Sequence, residues 1–260
     1  MIVTTARKQA SRLEQKAKEV ANKLSSLFIE RKDASVTDMI KRYQTNVIVV
    51  GKGRLTLYPA DNGDPFFYHP SSAMFRVKQW SRGGSDPFID VAALKKGMSM
   101  VDCTLGLASD SLVAKLAVGV NGRVIGLEAN PVVAYIVQEG LQTWQEGSKE
   151  MIQRMREIEV IHIHHLTYLQ SAETSSIDVV YFDPMFEVHV ETSTGIKGLK
   201  SIACHDDLNE EILYHAKRVA KSRVVIKDHW QSERFERFGF NQVKRQHAAF
   251  HYGSIDVSTK

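Results

Sequence analysis

At 260 residues, 43% apolar and 25% charged, the chain has an ordinary globular composition and the length for one large domain or one domain with a small module. No apolar run reaches the about eighteen residues a spanning helix needs, Met1–Lys8 lacks the apolar core of a signal peptide, and Cys103 and Cys204 are too few for a disulfide framework, so a cytoplasmic chain with no membrane partner is expected. The net charge of +4 is uneven: Met1 to Arg54 holds twelve Lys/Arg against five Asp/Glu, an excess of +7, and the remainder is −3; such a segment suits a polyanionic partner and equally suits a solvated helix face.

Ile2–Thr5 reads as a short strand, and residues 6–27 place Leu13, Val20, Leu24 and Leu27 at helical spacing. Phe28-Ile29 reads as a second strand and Val36–Tyr43 as a short helix. Val47–Val50, the Gly51-Lys52-Gly53 turn and Leu55–Tyr58 predict a β-hairpin. A small basic α/β module is therefore expected over residues 1–70. Residues 59–87, with four prolines and three glycines, read as its connection to a Rossmann-like domain over 71–260.

From Gly97 the pattern becomes β-α-β. Strands are expected at Met98–Cys103, Val124–Leu127, Val160–Ile163, Ile177–Phe182 and Arg223–Lys227, with helices at Ser111–Val118, Pro131–Leu141 and Leu208–Ala220. The polar stretch 142–157 fits helix or loop, and Gly239–Gln246 with Ala248–Val257 would close the sheet as an antiparallel pair. Apolar strands alternating with helices imply a largely parallel sheet covered on both faces.

Four strand ends carry chemistry. Asp102-Cys-Thr104-Leu-Gly106-Leu107-Ala108-Ser109-Asp110 ends a strand in an acid and turns through small residues into a helix, which lets backbone amides approach a nucleotide cofactor. Glu128, at the end of the next strand, is placed to accept both ribose hydroxyls of an adenosine cofactor. His164 and His165, after the third, are placed to line an adenine pocket. His162 reads as structural, and with no cysteine or spaced carboxylate to complete a ligand set no metal is expected. Asp183-Pro184-Met185-Phe186 ends the fourth strand. An exocyclic amine conjugated to a base is a poor nucleophile: it needs acceptors to orient its N–H groups and an aromatic face to hold the base flat. Asp183, the Pro184 carbonyl and Phe186 supply these parts, and a sulfonium cofactor brings its own leaving group. The expected cofactor is S-adenosylmethionine.

These segments, with Leu127-Glu128-Ala129-Asn130-Pro131 and Leu166-Thr167-Tyr168-Leu169, resemble bacterial methyltransferases that act on guanine N2 in small-subunit ribosomal RNA, over roughly residues 74–230. Uncharacterised Gram-positive members of that group are the nearest likeness. The resemblance implies that Ser109, Asp110, Glu128, Ala129, His164, His165 and Asp183 hold the cofactor, beside Asp102, Thr104, Gly106 and Leu107 of the turn. It also implies that ribosomal RNA is the partner. The sequence departs from the family at Ala108 and Ser109, where the family has Gly and Arg, and at His164 and His165, which replace small polar residues. The family's lysine-rich segment survives only as Lys197 and Lys200. Protein or small-molecule amines stay open as acceptors, as do an NAD-dependent oxidoreductase and a non-catalytic RNA-binding module with a vestigial pocket. Interleaved Arg76, Lys78, Trp80 and Arg82 read as single-strand contacts.

Overall fold

The computed structural model describes residues 1–61, 63–184, 207–246 and 248–258, and only the backbone of Ser71 and Ser72. Met185, Phe186, Lys197, Lys200 and Cys204 lie outside the described residues. The chain divides into two compact units: Met1–His69 with Pro131–Gln145, and Pro70–Asn130 with the described residues from Glu146 onward.

The first unit is a four-stranded sheet in the order β2-β1-β3-β4, made of β1 (Ile2–Thr5), β2 (Leu27–Phe28), β3 (Val47–Val50) and β4 (Leu55–Tyr58). β1 pairs parallel with β2 and β3, and β3–β4 is the expected hairpin. Parallel neighbours need crossovers, supplied by α1 (Ala10–Lys23) and α2 (Val36–Tyr43). Ile2 packs with Met39, Val47 and Val49, and strand alternation sends Val3 to the opposite face. α1 is shorter than the expected 6–27: Gln9 ahead of it takes a left-handed φ of 64°, Ser25 after it one of 48°, and Leu27 pairs in β2 instead. α6 (Pro131–Thr143) lies against β4, and at Gly140 the Tyr68 ring fills the space a Cβ would need.

The second unit holds a seven-stranded sheet in the order β10-β11-β9-β8-β5-β6-β7. Its strands are β5 (Ser99–Asp102), β6 (Arg123–Glu128), β7 (Glu159–His162), β8 (Ile177–Phe182), β9 (Ala220–His229), β10 (Asn241–Val243) and β11 (Phe250–Asp256). β5 to β9 run parallel, and β11 pairs antiparallel with β9 and β10. This is the expected Rossmann-like α/β sheet with its antiparallel closure. Alternate strand residues, among them Val101, Leu127, Val180, Phe182 and Ile226, pack under α8 (His165–Ser171), α9 (Glu210–Val219) and α10 (Arg234–Arg237). The other face meets α4 (Pro87–Ala92) and α5 (Ser109–Val118), with α3 (Ser71–Trp80) and α7 (Lys149–Arg156) packed beside α5. Buried Tyr181 points that way, its ring 4.6 Å from the Phe88 ring of α4.

The Pro/Gly-rich stretch read as a connection therefore contains α3, and α4 begins at its end. Asp86 caps α4 by accepting the amides of Phe88 and Ile89, with Pro87 at the first helical position. β5 has β6 on one side and β8 on the other, so the winding reverses there. A ligand crevice belongs at the carboxyl ends of these strands.

Candidate active site

Asp102, the last residue of β5, is 2% exposed and faces its own turn. Its carboxylate accepts the Ser111 hydroxyl at 2.7 Å and the Thr104 amide at 3.1 Å. Burial pushes this carboxyl up to about 7, against the pull of the Ser111 hydroxyl. Asp102 thus ties the start of α5 to the end of β5. Gly106 and Ala108 both have left-handed backbones, at φ 50° and 57°. Ala108 is the N-cap of α5, so the helix starts two residues earlier than its apolar pattern indicates. Between them the half-buried Leu107 leads to Ser109, the first helical residue. Leu105 turns back onto β6, where a Cβ at Gly126 would stand 2.2 Å from its Cδ1. The bare Gly126 backbone is what lets the turn lie flat on the second strand.

Glu128 is buried at the end of β6, and its carboxylate accepts the Asn130 amide at 2.9 Å together with the amides of Gly106 and Ala129. Burial raises its pKa from the usual carboxylate value. The Ala129 carbonyl accepts the His162 ring at 3.1 Å, giving the exposed His162 a structural partner. His164 caps α8 by accepting the Leu166 amide at 3.2 Å; its ring lies 4.3 Å from that of His165, which meets Phe182 edge-on. Both rings are half-buried. Among the described residues no three His, Cys, Asp or Glu side chains gather as a metal-ligand set.

Asp183 follows β8, one residue before the buried Pro184. Its amide donates to Thr104 Oγ1 at 2.6 Å, and the Cys103 amide donates to the Tyr181 carbonyl at 2.9 Å, so the switch point is latched on both sides. The Asp183 carboxylate accepts Lys227 Nζ at 2.7 Å through Oδ2, and no described residue donates to its Oδ1. The same ammonium stands 3.3 Å from Asp110 Oδ2, which also accepts the Tyr181 hydroxyl at 2.9 Å. Asp110 is 5% exposed, and its Oδ1 accepts the Arg76 guanidinium, which clasps Asp86 at 2.8 and 2.9 Å. Burial opposes the Asp110 charge, yet Lys227 and Arg76 hold its carboxyl below the usual range. Burial raises Asp183, to about 6, while Lys227 pulls the other way. The Lys227 ammonium, disfavoured by burial, is held charged by Asp110 and Asp183.

This order of strands, with an acid at the ends of β5 and β6 and another directly after β8, is that of a cofactor-dependent transferase. A family model described as "Putative SAM-dependent methyltransferase" matches residues 36–242. The chain belongs to this S-adenosylmethionine-dependent methyltransferase family. The methyltransferase is similar over 257 residues, at 41% identity, to "Uncharacterized protein YpiP" of Bacillus subtilis (strain 168), covering 99% of this chain and 100% of that one. It is 31% identical over 189 residues to "Ribosomal RNA small subunit methyltransferase J" of Cronobacter sakazakii, covering 69% of this chain and 74% of that one. Its fold matches the crystal structure of a SAM-dependent methyltransferase from Neisseria gonorrhoeae at a TM-score of 0.62 and 12% identity, over 100% of this chain and 97% of the other.

The cofactor is S-adenosylmethionine, which disposes of the dinucleotide alternative, and the residues fit it. Glu128 offers a carboxylate beside the half-buried Gly106, where an adenosine diol finds an acceptor, and the opening turn of α5 offers amides. The methyltransferase also holds residues that the sequence reading passed over. Lys227 binds Asp183, and its signal was a cation closing the apolar run Val224–Ile226. Arg76, expected as a single-strand contact, has its guanidinium paired with Asp86 and Asp110. Lys78 and Arg82 are exposed and Trp80 is half-buried. Among the described residues no helix is long and apolar enough to cross a membrane.

Proposed function

We propose that this methyltransferase methylates an exocyclic amine of a nucleobase in RNA, with guanine N2 of small-subunit ribosomal RNA as the acceptor. The observation that carries the reading is Asp183-Pro184 at the switch point, its backbone latched to Thr104 and one carboxylate oxygen taken by Lys227. Oδ1 and the Pro184 carbonyl are then two acceptors for the two N–H groups of a planar amine. Phe186 supplies the aromatic face that keeps the base in plane. The relatives named for ribosomal RNA point to the same acceptor class.

When bound, the cofactor supplies an electrophilic methyl on a sulfonium, so the protein's task is alignment rather than activation of a leaving group. Glu128, Gly106, Ala129 and the first residues of α5, Ser109 and Asp110, hold the adenosine end through carboxylate and backbone groups. His164 and His165 line the adenine side, and Leu107 covers the turn. Asp102 and Thr104 act one step back: Asp102 fixes the turn, and Thr104 fixes Asp183. Asp183 accepts an amine N–H and, with its pKa raised by burial, takes the proton released as nitrogen is alkylated more readily than an ordinary carboxylate does.

A pair of substitutions separates binding from transfer. Asp183→Ala should remove most methyl transfer while keeping the cofactor-induced rise in thermal midpoint, and Asp183→Asn should be milder because its amide oxygen still accepts one hydrogen bond. Glu128→Ala should shrink the thermal shift itself. Near wild-type turnover by Asp183→Ala on the methylated RNA would contradict the amine-orienting role.

A further inference from the structure

β9 continues past Lys227 to His229, and Trp230 follows directly with 48% of its surface exposed. The antiparallel register sets Phe250 opposite His229 and Tyr252 opposite Lys227, so the start of β11 reaches the same end of the sheet. Two cations approach the Phe250 ring: Lys227 Nζ is 4.8 Å from its centroid and Arg245 Cζ 5.5 Å. Trp230, Arg245, Ala248, Ala249 and His251 line an open groove of about 440 Å³.

The backbone that carries this indole is tied down on both sides. The Trp230 amide donates to the Ala249 carbonyl at 3.2 Å, and its carbonyl accepts the Gln242 amide at 2.8 Å. Gln242 also lies 2.9 Å from His251 Nδ1, and His251 Nε2 lies 3.0 Å from the Arg245 carbonyl. Asp228, two residues before Trp230, is already paired with Arg234 at 2.8 Å, and among the described residues the groove's lining holds Arg245 and no acid. A lone exposed aromatic needs no explanation. An exposed indole on an anchored backbone, sharing a groove with a guanidinium and directly after the strand whose lysine grips the amine-orienting acid, meets the two demands of a single-stranded nucleotide: a face for its base and a cation for its phosphate.

We propose that Trp230 and Arg245 form a platform for the nucleotide adjoining the methylated base, the base stacking on the indole and its phosphate meeting the guanidinium. The proposal rests on the RNA reading above and deepens it. A target base drawn out of its stack leaves a neighbour without a partner, and the platform replaces that partner.

The test titrates the full chain with a short single-stranded oligoadenylate and, separately, with inorganic polyphosphate, which has charge and no bases. Trp230→Ala should weaken oligoadenylate binding roughly tenfold or more and leave polyphosphate binding unchanged. Trp230→Phe should restore most of the loss, and Arg245→Ala should weaken both polymers. Oligoadenylate binding by Trp230→Ala equal to wild type, in a protein that still methylates ribosomal RNA, overturns the platform alone. Wild-type protein that binds no oligoadenylate and methylates only a protein or metabolite fraction overturns the platform together with the RNA reading.

Discussion

Lys227 joins two acids with opposite tasks. Asp110 is locked among Arg76, Tyr181 and Lys227, while Asp183 keeps one carboxylate oxygen clear of any described donor. In the proposed mechanism the ionised form of Asp183 accepts the amine, and burial raises its pKa to about 6, so kcat/KM should fall as pH drops through that region rather than near 4, the ordinary aspartate value. Lys227→Met removes the main group opposing that shift, so the acid limb should move to higher pH; Lys227→Arg should move it less. A pH–rate profile of Lys227→Met that superimposes on wild type would contradict this positioning role. Asp183 and Glu128 were legible in the sequence because each ends an apolar strand, where the fold itself aims a side chain at the crevice. Lys227 and Arg76 were not. Their partners are distant in sequence, and no local spacing brings Arg76 to Asp110 or Lys227 to Asp183.

The turn between β5 and α5 depends on β6 as much as on its own residues. Leu105 occupies the space above Gly126, and the Glu128 carboxylate holds the Gly106 amide. Gly126→Ala forces a methyl into that space and should cost about 1–3 kcal/mol of stability, the range for overpacking. It should also weaken the cofactor-induced rise in thermal midpoint, because the displaced turn carries the cofactor's amides. Wild-type melting with full cofactor response would show that Leu105 repacks without effect. The central strands β5, β6, β8 and β9 were legible because their middles, such as Val124-Ile125 and Val224–Ile226, are buried and read as apolar runs. α8 spans His165–Ser171 and α10 Arg234–Arg237, too short for any periodicity to register. α3 hid in a stretch whose prolines and glycines read as a linker, although Pro70 stands just before it and Gly83 after it, as punctuation at its ends.

The first unit concentrates positive charge, and Arg7, Lys8 and Arg12 are exposed on it. If these side chains meet phosphates, RNA affinity falls steeply with salt. Reversing the three charges should then flatten the slope of log affinity against log salt by about 0.7 for each phosphate that is no longer neutralised. An unchanged slope would assign this charge to helix solvation, the alternative that composition alone leaves open. Residues 131–145 follow β6 in the chain yet group with the first unit, an arrangement invisible to a reading that proceeds by neighbouring residues. The proposal that the acceptor is a base amine of ribosomal RNA rests on the geometry at Asp183. The most direct test is nucleoside mass spectrometry of small-subunit ribosomal RNA from a strain lacking this protein. One N2-methylguanosine should disappear and return with the wild-type chain but not with Asp183→Ala; an unchanged nucleoside profile, with labelled methyl groups passing instead to protein or metabolites, would contradict RNA as the substrate.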